Sequence, residues 1–144
     1  MVIAIGCDHA GFALMQALKE YALAGHRLLD MGTHDESRTD YPRYALAVAK
    51  AVTAGEADRG ILVCGTGIGM AIAASRVRGI RAAVCTNEYT ARVARAHNNA
   101  NVLCLGGRVV GSGVAEGIVQ CFLDTQFAAG RHADRLTLID DQGD

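Results

Sequence analysis

Ile61-Leu62-Val63-Cys64-Gly65-Thr66-Gly67-Ile68-Gly69 is the stretch whose reading decides the fold. A short apolar run ends in a cysteine, and glycines follow at alternate positions. Met70-Ala71-Ile72-Ala73-Ala74 then opens a helical pattern. This pattern predicts a buried strand, a tight glycine loop and a helix N-terminus, with one thiol held at the junction. Working outward, apolar strand-like runs recur at residues 2–6, 26–30, 79–85 and 102–105. Between them lie helical segments. In residues 11–23, Phe12, Met15, Leu18 and Ala22 share one face, and the helix after Asp40-Tyr41-Pro42 carries Tyr44, Ala45, Val48 and Val52. Further helices are predicted to about residue 77, over 88–96 and over 114–127.

Strand then helix, five times over, with strands apolar throughout, means a parallel sheet buried on both faces. Right-handed crossovers make this an α/β fold: a three-layer α/β/α sandwich, doubly wound and Rossmann-like, with strand order 2-1-3-4-5. In that order the first and third strands are neighbours at the switch point. Asp8-His9 then lies beside the Cys64 loop, in the crevice where open α/β sheets bind ligands.

The chain has 144 residues, 51% of them hydrophobic, enough for one domain spanning 1–144. Seventeen glycines and a single proline suggest helices packed close to the sheet. Fourteen basic and fifteen acidic residues leave a net charge of -1, which argues against a nucleic-acid or membrane surface and makes any anion site local. Met-Val-Ile-Ala-Ile-Gly at the start reads as a strand and not a signal peptide, and no apolar run approaches the roughly 18–20 residues of a spanning helix. The five cysteines are odd in number and lack C-x-x-C spacing, so a disulfide framework or zinc site is not expected. A reducing, cytoplasmic compartment suits them. No H-x-H, H-E-x-x-H or carboxylate cluster points to a metal, and no cofactor is expected.

The glycine loop has no lysine and no G-x-G-x-x-G spacing, so neither a nucleotide-hydrolase phosphate loop nor a dinucleotide site fits. Its free N–H groups at a helix start form a nest for negative charge: a phosphate, a carboxylate or an enediolate oxygen. The plainer reading is a tight packing turn. A helix N-terminus favours thiolate at Cys64. That thiolate suits either a base beside an oxyanion nest or a nucleophile partnered by His9 or His97, against the alternative of a packed strand-end cysteine. Asp8 and His9 suit sugar hydroxyls, a phosphate or acid–base work, and His97-Asn98 offers a second acid. Arg131 and Arg135, four apart, face one way on a helix and suit a phosphate, although such pairs commonly form a solvated face. Residues 31–41 form a loop long enough to be functional.

Several motifs occur together and in order. They are Gly6-Cys7-Asp8-His9-Ala10-Gly11, Gly32-Thr33, Asp40-Tyr41-Pro42, the Cys64–Gly69 segment, Arg76 with Gly79-Ile80-Arg81-Ala82, His97-Asn98, Asn101-Val102-Leu103, Gly106-Gly107-Arg108-Val109-Val110 and Gly130-Arg131-His132. With these the chain resembles the type B ribose-5-phosphate isomerases, a family that also holds galactose-6-phosphate isomerase subunits. The resemblance runs from residue 3 to about residue 135. It implies metal-free interconversion of an aldose phosphate and its ketose through a cis-enediolate. Cys64 then matches the base, and Thr66 with the backbone of Gly65, Gly67, Ile68 and Gly69 the enediolate cradle. His97 matches the ring-opening acid and Asp8 a ring-hydroxyl ligand. His9, Arg131 and Arg135 match phosphate-binding positions, and Asn98 and Arg108 further binding positions.

The resemblance also implies a homodimer, sometimes assembling to a tetramer, with sites shared between chains, and a C-terminal tail, 130–144, packing on the partner. Members with serine in place of this cysteine use a glutamate base; this chain has the cysteine. Ribose 5-phosphate is the expected substrate. Erythrose or erythrulose 4-phosphate and allose or galactose 6-phosphate are alternatives within the class. A thiol hydrolase and a non-catalytic phosphosugar-binding module are the alternatives outside it.

Overall fold

Successive side chains of a strand point to opposite faces, and here both faces are apolar. Ile61 and Val63 join one core cluster, while Leu62 and Cys64 join the other. Leu103 and Leu105 likewise face one side, Val102 and Cys104 the other. The chain is described by a computed structural model covering residues 1–142. Its elements in order are β1 (Val2–Cys7), α1 (Phe12–Glu20), β2 (Arg27–Asp30), α2 (Tyr41–Thr53), β3 (Arg59–Cys64), α3 (Ile68–Ser75), β4 (Ala82–Val84), α4 (Glu88–Ala96), β5 (Val102–Gly106), α5 (Ser112–Asp124) and α6 (Arg131–Asp140). All strand pairs are parallel. One cluster joins the sheet to α1, α4 and α5 through Met15, Leu18, Ala91, Ile118 and Phe122. The other joins it to α2 and α3 through Val48, Ala49, Met70 and Ala74. The three layers and the doubly wound parallel sheet are those expected.

Strand order is corrected. The sheet runs β2-β1-β3-β5-β4, not 2-1-3-4-5. β5 is buried over its whole length and so takes the interior position beside β3. β4 has only three residues, none fully buried, and short strands are what sheets tolerate at an edge. The expected strand over 79–85 is shortened because Gly79 takes a φ of +92° and the Arg81 N–H bonds the Asn101 side chain. A sixth helix, α6, also occupies most of the segment expected to be a C-terminal tail. It anchors through Leu136 and leaves Leu138 and Ile139 exposed. Of the 130–144 segment, residues 143 and 144 lie outside the described residues.

Close helix–sheet packing is concentrated under α2. A Cβ at Gly60 would come within 2.6 Å of Val48 Cγ1, and one at Gly6 within 3.1 Å of Val48 Cγ2. The interior position of β5 is testable. Leu103→Ala, on β5, is expected to cost about 3 kcal/mol in chemical denaturation, and Val84→Ala, on the edge strand, less than about 1 kcal/mol. Equal costs would contradict this sheet order.

Candidate active site

Three turns meet at the carboxyl end of the sheet because β1, β3 and β5 are adjacent there. Backbone hydrogen bonds join them. Asp8 N–H donates to the Val63 carbonyl (3.2 Å), Gly107 N–H to the Cys64 carbonyl (2.8 Å) and Arg108 N–H to the Gly65 carbonyl (3.0 Å). The turns approach so closely that side chains are excluded. A Cβ on Gly11 would overlap the Val63 carbonyl, one on Gly106 would lie 2.8 Å from Thr66, and one on Gly107 would lie 2.6 Å from the Ala10 carbonyl. Gly67 ends the loop with φ +83°, a left-handed conformation that launches α3.

Cys64 sits at this junction, 5% exposed. Its Sγ accepts the N–H of Gly67 at 3.1 Å. Three other thiols act as donors: Cys7 to the Thr33 carbonyl, Cys85 to the Ala83 carbonyl and Cys121 to Glu88 Oε2. Burial pushes the Cys7 thiol up to about 11 and also raises Cys85, Cys104 and Cys121. Cys64 is thus distinguished by a backbone donor aimed at its sulfur, an arrangement suited to holding negative charge.

The loop after Cys64 has the form of an anion cradle. Thr66 Oγ1 accepts the Ile68 N–H at 3.2 Å, and the N–H groups of Gly69 and Met70 open the first turn of α3, where a helix offers no internal acceptor. Arg108 lies over Gly65, with Nη1 3.5 Å from where a Cβ would stand. Its guanidinium brings positive charge to the same loop. An open cleft of about 450 Å³ spans Asp8, Cys64, Gly65, Thr66, Ile68 and Gly69. Asp8 Oδ1 is committed to the N–H groups of Ala10 (2.9 Å) and Gly11 (3.0 Å), which shape the turn into α1. His9 Nδ1 accepts the Thr39 N–H at 3.2 Å, so the neutral ring carries its hydrogen on Nε2.

Asp8, His9, Cys64, Gly65, Thr66, Gly67, Ile68, Gly69 and Arg108 are therefore brought together. His97, Asn98, Arg131 and Arg135 are not. His97 caps the C-terminal end of α4 and is exposed, as is Asn98, ahead of the first residue of β5. The length of β5, roughly 13 Å, lies between the two groups. At that far end His97 stacks on His132, with ring centroids 4.2 Å apart and planes 11° from parallel. Partial desolvation, then the His97 ring and Arg131 and Arg135, push the His132 pKa down.

Tyr41 is a cleft residue that sequence reasoning did not assign to the site. It lines the cleft, and a Cβ on Gly69 would lie 2.6 Å from its ring. The signal was there in Asp40-Tyr41-Pro42, an aromatic at a helix start beside a long polar loop. A second cleft, about 360 Å³, lies between the α3–β4 connection and the end of α6, but its lining carries neither thiol nor imidazole. Among the described residues, no three His, Cys, Asp or Glu side chains gather as a metal site requires, and no helix is long and apolar enough to cross a membrane.

Comparisons with known proteins bear on family and fold. The family model for ribose/galactose isomerase matches residues 3–139. Ribose-5-phosphate isomerase B of Escherichia coli (strain K12) is 49% identical over 138 residues, covering 95% of this chain and 93% of that protein. Galactose-6-phosphate isomerase subunit LacB of Clostridium acetobutylicum is 44% identical over 128 residues, covering 88% of this chain and 74% of its own length. Among solved structures, Clostridium thermocellum ribose-5-phosphate isomerase B superposes with a TM-score of 0.96 at 50% identity, covering 99% of this chain and 97% of that one.

The cysteines separate in a labelling experiment. At pH 8 a thiol with a pKa near 11, such as Cys7, is ionised in roughly one molecule in a thousand. Iodoacetamide at that pH, read by peptide mass spectrometry, is expected to modify Cys64 ahead of Cys7, Cys85 and Cys104. Modification of Cys7 at an equal or faster rate would contradict the contrast drawn between these thiols.

Proposed function

The chain belongs to the ribose/galactose isomerase family, and on that premise we propose that it interconverts ribose 5-phosphate and ribulose 5-phosphate through a cis-enediolate formed on the Cys64 loop. The observation that carries this reading is the Cys64 sulfur accepting a backbone N–H at the mouth of an anion cradle. The Cys64 thiolate removes the C2 proton of the open-chain aldose. The electron pair of that C–H bond becomes the C1–C2 double bond, and the aldehyde oxygen takes the negative charge. Thr66 and the N–H groups of Gly69 and Met70 at the start of α3 stabilise that charge, with Arg108 above the loop. The proton then returns from the Cys64 thiol to C1, a proton moves between the two oxygens, and the ketone forms at C2. No step calls for a metal or cofactor. Asp8 orients a sugar hydroxyl, and His9, with its Nε2 hydrogen, faces the phosphate.

Opening the furanose requires an acid, and the phosphate requires more positive charge than His9 supplies. His97, Asn98, Arg131 and Arg135 have the right chemistry at the wrong end of their own chain. The reading therefore has each site completed by His97 of the partner subunit, with its Asn98 and arginines, in a homodimer with two shared sites; pairing of dimers to a tetramer is compatible with it. Ile68 and Ile72, 55% and 64% exposed beside the cleft, and the exposed Leu138 and Ile139 of α6 are apolar surface suited to such a contact. Residues 130–142 pack on the partner in this arrangement. Free thiols throughout suit a cytoplasmic enzyme.

Two measurements test the reading. Cys64→Ala is expected to lower kcat about a thousandfold and to abolish exchange of the C2 proton of ribose 5-phosphate with solvent. Exchange at the wild-type rate would show that Cys64 is not the base, and a rate lost on adding EDTA would overturn the metal-free scheme. For the shared site, inactive Cys64→Ala and His97→Asn proteins, unfolded and refolded together, are expected to recover about a quarter of wild-type activity, since half the dimers are mixed and each mixed dimer holds one intact site. No recovery would mean that each chain holds its own complete site.

A further inference from the structure

Arg95 is 3% exposed on α4, a charged side chain buried where charge is costly. Its contacts are carbonyls, an amide and an aromatic face. Nη1 donates to the Ala100 carbonyl at 2.6 Å and to Asn99 Oδ1 at 2.8 Å, while Nε donates to the Thr125 carbonyl at 3.4 Å. The guanidinium lies 5.9 Å from the centroid of the Phe122 ring. Burial, then Arg59 and Arg81, push its pKa down to about 10, which leaves it charged at neutral pH.

These acceptors belong to two segments. Asn99 and Ala100 form the turn after His97, in which Asn99 is held at φ +46°. Thr125 follows α5, at the start of the connection to α6. The connection also touches the turn directly, through Ala128 N–H to the Ala96 carbonyl (2.9 Å) and the His132 ring on the His97 ring. Arg81 braces the other side, with Nε donating to the Asn99 carbonyl at 3.3 Å and Nη1 paired with Asp140 of α6 at 3.3 Å. Arg95 is the member that joins both segments from inside.

We propose that Arg95 is a positioning residue for isomerisation: its buried fork locks the 97–101 turn to the end of α5 and thereby holds His97 in register with Arg131 and Arg135. The proposal rests on the reading of His97 as the ring-opening acid. A lysine keeps the charge but not the fork, so it cannot span the same acceptors.

Ring opening and proton transfer can be read apart. Ribose 5-phosphate enters as a closed furanose. Ribulose 5-phosphate, with its 5-oxygen phosphorylated, has no hydroxyl placed to close that ring and enters open. Exchange of its C1 proton with solvent needs the Cys64 loop but not ring opening. Arg95→Lys is expected to lower kcat on ribose 5-phosphate about tenfold or more while lowering C1 exchange on ribulose 5-phosphate less than about threefold. Asn99→Gly, which suits the positive φ and deletes one acceptor of Arg95, is expected to give the same split in smaller measure and guards against a lysine variant that fails to fold. His97→Asn runs in both assays as the reference. A split in His97→Asn that is absent from both Arg95→Lys and Asn99→Gly overturns the proposal alone. Absence of the split from His97→Asn overturns the reading of His97 and the proposal with it.

Discussion

The backbone-to-backbone contact of three strand ends is the constraint on which the site depends. Val63, Cys64 and Gly65 offer their carbonyls to Asp8, Gly107 and Arg108, and the glycines between them leave no space for side chains. Preorganisation of this kind is what an anion cradle requires, because N–H groups that must reorient during reaction stabilise charge less. The same contact puts Arg108 over the loop and presses the Cys64 sulfur against the Gly67 N–H. A parallel sheet supplies it cheaply: neighbouring strands end together, so their turns meet without long connections.

The two groups of polar residues have different physical characters. At the carboxyl end, backbone dipoles and one thiol sit within an apolar frame, with Arg108, Asp8 and His9 around them. At the amino end charge is carried by whole side chains, with His97, His132, Arg131 and Arg135 near one another and Arg95 buried beneath. Like charges gathered this way favour an anion between them; the His132 pKa is lowered by desolvation first and then by His97, Arg131 and Arg135.

Much of this was legible in the residues alone. The apolar run 61–64 and the alternate glycines after it specify a buried strand and its turn, and the apolar positions of helix α1 specify its inner face. The order of the last two strands was not legible, because Ala82-Ala83-Val84 and Val102-Leu103-Cys104-Leu105 are both short apolar runs. What separates them is tertiary: complete burial of one and an exposed flank on the other. That difference matters, since it is β5 and not β4 that delivers Arg108 to the loop. The full extent of helix α6 was not legible beyond the Arg131–Arg135 turn because its apolar residues are few and only Leu136 is buried. Arg95 was hidden for the opposite reason, a charged residue in an alanine-rich helix reading as surface until its acceptors on two other segments are in view.

Placing the thiol and the histidine at opposite ends of the sheet has an evolutionary consequence. Each end can change without disturbing the other, because a whole sheet length separates them and separate side chains maintain each. Under the proposed shared site, after duplication of such a gene one copy could lose its thiol end and the other its histidine end, and the pair would still hold one working site. On that proposal, an enzyme made of two unlike subunits, neither active alone, would be a short mutational distance from this fold, reached by loss and without any new contact.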